Sequence, residues 1–150
     1  MMTGFSVAAG SPLKNIMFNH GEHGELIESD ERLIDAVLTA ATNVHSQLGP
    51  GLLESVYERA LMIELNQAGI EAKQQVEIPV KYKNYDLGMG FRADIIVDSC
   101  LLLEIKAIDE FNPVHLAQII TYLKLLGFKR GYLLNFNKRF LKDGIKRVSI

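Results

Sequence analysis

Asp94, Glu104 and Lys106 interrupt an otherwise apolar stretch, FRADIIVDSCLLLEIKAI at 91–108. Two carboxylates and an amine are groups that can hold a divalent cation and set a fixed positive charge beside it. Mg²⁺ typically takes one or two carboxylates, with water and substrate phosphate oxygens completing its shell. The cation polarises a phosphoryl oxygen and lowers the pKa of a bound water, and a lysine stabilises charge that develops in the transition state. That chemistry requires the two acids to meet.

Whether they meet depends on one turn. Side chains on a strand alternate between faces, so Glu104 and Lys106 share one face, with Leu103, Ile105 and Ala107 on the other. In the preceding strand the alternation predicts Phe91, Ala93, Ile95 and Val97 opposite Arg92, Asp94, Ile96 and Asp98. A three-residue loop at Asp98, Ser99 and Cys100 pairs Val97 with Leu101, and therefore Asp94 with Glu104. Opposed residues share a face with Cβ atoms about 4.5–5.5 Å apart, where like charges repel and a divalent cation removes the conflict. A two-residue loop would separate the acids. The same pattern also suits a solvent face on which Arg92 and Lys106 simply neutralise Asp94 and Glu104.

Two further groups point toward a site. GLLESVYE places Glu54, Tyr57 and Glu58 three and four residues apart, hence on one helical face. HLAQIITY puts Gln118 and Tyr122 on one stripe, with His115 a turn earlier. Gln118 sits in an otherwise apolar helix, where a buried unpaired amide would be costly; partial exposure is the plainer account. For Tyr57 and Tyr122 the plainer account is a core ring with its hydroxyl satisfied.

The elements that must carry these residues are legible in outline. Residues 1–28 show no period and read as a mobile extension; His20, Glu22 and His23 are metal donors within it, but a flexible polar tail fits better. A domain over 29–150 begins with a helix capped by Ser29 or Asp30 and marked by Leu33, Val37, Ala40, Ala41, Val44 and Leu48. GPG at 49–51 ends it, and a second helix runs from Leu52 to about Gln67, with Gly69 as terminator. QVEIPVKY alternates as a half-buried strand, and Pro79 marks an edge or a bulge. After the two strands of the opening stretch, NPVHLAQIITYLKLLG is a helix with Asn112 as cap, Pro113 in its first turn and Gly127 as terminator. GYLLNF at 131–136 and IKRVSI at 145–150 are two last strands. The order α-α-β-β-β-α-β-β predicts a single α/β domain with a mixed, hairpin-rich sheet flanked by helices.

Composition excludes more than it assigns. A chain of 150 residues with 48% hydrophobic and 23% charged residues is ordinary for one globular domain. No apolar run approaches the ~20 residues of a membrane helix, and the start lacks the pattern of a secretory signal. A single cysteine, Cys100, forms no internal disulfide and fits a reducing cytoplasm. The net charge of −2 argues against strong non-specific DNA binding, yet the charge is sorted along the chain. Residues 22–71 carry ten acids and two bases, whereas residues 121–150 carry eight bases and one acid. The basic end suits either a solvated face or a surface that meets phosphates.

Asp94 followed by Glu104-Ile105-Lys106 resembles the D-x(n)-(D/E)-x-K signature of the PD-(D/E)XK nuclease superfamily. Gly51-Leu52-Leu53-Glu54-Ser55-Val56-Tyr57 is similar to the motif that names the GxxExxY proteins, a prokaryotic family within it. The similarity runs from about Leu33 to the C-terminus, through IPVKY, FRADIIVD, LLLEIKAI, AQIITYLK, GYLLNF and GIKRV. It departs at Ala93, where the superfamily often has proline. The resemblance implies a restriction-endonuclease-like core and a Mg²⁺-dependent nuclease acting on DNA, with Mn²⁺ as a substitute. Asp94 and Glu104 would ligate the metal, with the Ile105 carbonyl and Glu54 completing the shell. Lys106 would orient the attacking water, and Gln118 would contact the site or the phosphate backbone. A non-catalytic nucleic-acid or protein interaction module on the same scaffold is the competing expectation. The modest charge suits a domain that needs a partner, a second copy or another protein, to hold DNA.

Overall fold

A computed structural model describes the backbone from residue 23 and the side chains from residue 30. Its elements are α1 (His23–Leu48), α2 (Glu54–Gln67), β1 (Ala72–Tyr82), β2 (Tyr85–Val97), β3 (Leu101–Lys106), α3 (Pro113–Leu126), β4 (Arg130–Asn135), a 3-10 turn (Leu141–Gly144) and β5 (Ile145–Ser149). The expected order holds: three helices and a five-stranded mixed sheet, an α/β architecture. One boundary needs correcting. α1 starts at His23, so Ser29 and Asp30 lie inside the helix and do not cap it. His20 and Glu22 lie outside the described residues.

The strands stand in chain order, β1-β2-β3-β4-β5, and only β3 and β4 run parallel. β3 is central, and Leu101 through Ile105 are all buried. One sheet face carries Ile95, Val97, Leu101, Leu103, Ile105 and Leu134 against Leu33, Val37, Ala41 and Val44 of α1 and Leu61 and Leu65 of α2. The other carries Ile96, Leu102 and Leu133 against Ile119 and Leu123 of α3. Gly131 allows α3 to come this close: a Cβ there would lie 3.1 Å from Ile119 Cδ1 and 3.2 Å from Leu123 Cδ2. Burial on both faces explains why LLLEI reads as a nearly unbroken apolar run.

Local chemistry sets the breaks as expected. Gly49 and Gly51, at φ 70° and 102°, turn the chain after α1 in the left-handed region that glycine tolerates. α3 opens on a reciprocal cap, in which Asn112 Oδ1 accepts the Val114 N–H and His115 Nδ1 accepts the Asn112 N–H. His115 therefore has a capping role. Pro79 is both on an edge strand and beside shifts in the β1–β2 register.

Two features departed from the sequence reading. β1 and β2 continue past the core as a long hairpin whose residues 81–90 are exposed, turning at Lys83 and Asn84, both at positive φ. The strict alternation expected of β2 also fails. Phe91 and Ala93 pack on the α3 side with Ile96, while Ile95 and Val97 pack on the α1–α2 side. The face changes at Asp94, opposite Gln75 of β1, which sits at φ 53°.

Candidate metal and phosphate site

The loop between β2 and β3 is three residues long. Val97 pairs with Leu101, Ile96 with Leu102 and Ile95 with Leu103, and Asp98 and Ser99 take positive φ to close the turn. Beyond Ile95 and Leu103 the ladder opens, and each acid takes over a backbone group of the other strand. Glu104 Oε2 accepts the Asp94 N–H at 3.0 Å, and Asp94 Oδ2 accepts the Ile105 N–H at 2.8 Å. Oδ1 of Asp94 and Oε1 of Glu104 take neither bond.

Both carboxyls are driven toward the protonated form. Burial pushes Asp94 up to about 6, with the Ile105 N–H pulling down and the Glu58 charge pushing up. Burial also pushes Glu104, only 6% exposed, up to about 8, and the facing Asp94 charge adds to the rise. Lys106, half-buried at the end of β3, lowers both, yet it forms no ion pair with either acid among the described residues. Arg92 pairs instead with Glu77, its register partner on β1, at 3.3 Å. The neutralised-surface account of the acids therefore fails for Arg92.

α2 brings two more carboxylates. Glu54, exposed at its first position, accepts the Ala107 N–H at 3.0 Å just beyond Lys106. Glu58, one turn on, is buried and accepts from Gln74 Nε2 at 2.8 Å and Gln75 Nε2 at 2.9 Å. Glu54, Glu58, Gln74, Gln75 and Asp94 line one cleft of about 460 Å³. In the sequence Glu58 stands only as a helical neighbour of Glu54. Its inward aim was not readable there, because the two glutamines that fix it lie on β1. Another cleft, about 400 Å³, lies at the far end of β3 beside Ser99 and Arg130 and holds none of these acids.

Tyr57 holds the start of α2. Its hydroxyl donates to the Gly49 carbonyl at 2.5 Å and accepts the Leu52 N–H at 3.0 Å, and its ring stacks on Phe136. α3 approaches through Tyr122, whose ring stacks on Phe91. Burial raises the Tyr122 hydroxyl's pKa, and the Glu104 and Asp94 charges add to it. Gln118, one turn earlier, is exposed and makes no hydrogen bond to either acid among the described residues.

The donor set suits a hard divalent cation. No group of three or more His, Cys, Asp or Glu is close enough to hold a metal among the described residues. Mg²⁺, however, usually asks only one or two carboxylates of a protein. Asp94 and Glu104 supply two, each with an oxygen outside the bonds between the strands.

The PD-(D/E)XK nuclease superfamily model matches residues 31–148, and the chain belongs to that superfamily. Its three helices and five-stranded mixed sheet are consistent with the fold of that superfamily. No curated protein and no solved structure matches the chain. No helix among the described residues is long and apolar enough to cross a membrane.

Proposed function

We propose that the chain is a nuclease of the GxxExxY type that hydrolyses phosphodiester bonds of DNA with a divalent cation, Mg²⁺ or in its place Mn²⁺. The observation that carries this reading is the pair of half-buried Asp94 and buried Glu104, facing each other with Lys106 alongside and no ion pair neutralising them among the described residues. Asp94, Glu104 and the Ile105 carbonyl would hold the cation, with Glu54 completing its shell from the cleft that Asp94 also lines. When bound, the cation polarises a phosphoryl oxygen and lowers the pKa of its water.

The chain's own groups do the rest. Lys106 places a positive charge next to both acids and stabilises the charge that builds on the phosphate. It also orients the water for attack. Glu54 ties the segment after Lys106 to the start of α2 through the Ala107 N–H, which fixes the cleft's rim. Gln118 faces solvent and would reach the phosphate backbone of a bound strand.

The test is cleavage of supercoiled, linear duplex and single-stranded DNA, and of RNA, in Mg²⁺, in Mn²⁺ and in EDTA. Cation-dependent cleavage of DNA lost in Lys106→Ala supports the reading. Equal cleavage by wild type and Lys106→Ala overturns it. Binding that is unchanged in EDTA, with no turnover of any substrate, would instead mark a non-catalytic module on this scaffold.

A further inference from the structure

The basic C-terminal stretch is sorted by the fold into committed and uncommitted cations. Arg130 pairs with Asp30, Arg147 with Glu31 and Lys138 with Glu110. Arg139 and Lys142 form no ion pair among the described residues. Both instead stand over one ring: Arg139 Cζ is 5.1 Å and Lys142 Nζ 5.9 Å from the centroid of Phe140. That ring is 52% exposed, while its neighbour Leu141 is buried in the core. The ring is thus turned outward and its π-system attracts two cations to one exposed spot.

Its place in the fold is fixed and lies on the site's edge of the sheet. β3 and β4 are parallel, with Lys106 level with Asn135, so the segments that follow them leave the sheet together. Five contacts stitch these segments. The Phe136 N–H donates to the Lys106 carbonyl at 2.9 Å, and the Asn135 side chain bonds both the N–H and the carbonyl of Ile108. Lys138 Nζ donates to the Asp109 carbonyl and to Glu110. On the far side of Phe140, Gly144 packs so closely on Asn135 that a Cβ would come within 2.3 Å of its carbonyl oxygen. Phe140 is therefore presented from a braced turn and not from a free tip.

We propose that Phe140, Arg139 and Lys142 form a docking platform for an unpaired nucleotide of the nucleic acid that reaches the Asp94–Glu104 site, which rests on the nuclease reading above. The ring supplies a face on which any base can stack, and the two cations neutralise the flanking phosphates. Bases inside a duplex offer no such face, so the substrate class is single-stranded nucleic acid, or a duplex with a frayed or unpaired end. The platform would place this nucleotide beyond Lys106.

The experiment measures binding by fluorescence anisotropy in Ca²⁺, as a cation that does not support cleavage, using a single-stranded oligonucleotide and the matching blunt duplex. Phe140→Ala should weaken single-strand binding about 5- to 100-fold and leave duplex binding within about twofold. Phe140→Tyr should restore it. Arg139→Ala and Lys142→Ala should each reduce the slope of log K against log salt by roughly 0.7 for the single strand. Unchanged single-strand affinity in Phe140→Ala overturns the proposal, as does an equal loss for both nucleic acids. A wild-type dimer that Phe140→Ala dissociates in sedimentation would also overturn it and assign the ring to self-association. Cleavage without Phe140 dependence removes the platform and leaves the nuclease reading intact. Phe140-dependent single-strand binding without cleavage does the reverse.

Discussion

Asp94 and Glu104 each bind the other's strand: Glu104 Oε2 accepts the Asp94 N–H, and Asp94 Oδ2 accepts the N–H of Ile105, the residue after Glu104. The two side chains thus replace ladder bonds where the sheet opens. They are structural acceptors as well as candidate metal ligands, and these roles separate by substitution. Asp94→Asn keeps an acceptor for Ile105 N–H but removes the charge, so we expect cleavage to fall by at least about 100-fold with the fold preserved. Asp94→Ala also strands that N–H and should cost about 1–3 kcal/mol of stability in addition. Urea unfolding alongside cleavage rates checks both; equal stability of the two variants would argue against the structural half.

The same pair sets a pH dependence. Both folded-state pKa values, about 6 and about 8, lie above the ordinary 3.8 and 4.5. The folded chain therefore binds protons that the unfolded chain has released, and this stabilisation is complete below about pH 4. It is lost as pH rises through the two folded values. The Tm of cation-free protein should fall between about pH 5 and about pH 8.5, and Glu104→Gln should flatten most of that fall. Mg²⁺ should raise the Tm more at the alkaline end, because it competes with the protons. A wild-type Tm that rises with pH over this window would contradict the assignment.

Lys106 is expected to act on the rate. Lys106→Ala should abolish cleavage while Mn²⁺ affinity, read by calorimetry, changes little, because the carboxylates remain. Asp94→Ala should lose both. A Lys106→Ala protein that no longer binds the cation would make the lysine part of the binding site.

Tyr57 carries the start of α2. Tyr57→Phe removes the bond to the Gly49 carbonyl and also takes from the Leu52 N–H its acceptor. A loss of about 1–3 kcal/mol follows, measured by denaturant unfolding. Activity should fall as well, since Glu54 rides on that turn. Full stability in Tyr57→Phe would show that the loop is held elsewhere.

Gln118 tests the opposite case. Being exposed on α3, Gln118→Ala should leave stability within about 0.5 kcal/mol of wild type. Any effect should appear as a raised KM for DNA with kcat retained.

The α/β class, the element order and the three-residue loop were legible because each rests on local chemistry: glycine and proline breaks, an asparagine cap, and alternation in the short strand LLLEIK. The motif residues were legible for the same reason, as Asp94, Glu104 and Lys106 lie on one hairpin where spacing nearly dictates position. The start of α1 at His23 was not, since Ser29 and Asp30 serve equally inside a helix or at its cap. Nor was the change of face at Asp94, which depends on a left-handed Gln75 in a neighbouring strand. The burial of Glu58 and the pairing of Arg92 with Glu77 likewise come from contacts between segments far apart in sequence. By itself the sequence determined which groups the chain has to offer and favoured the three-residue loop whose register brings two acids together. Tertiary structure alone decided how deeply those acids are desolvated, which cations remain uncommitted and which carboxylates share the cleft, because burial and charge pairing depend on every element packed around a residue.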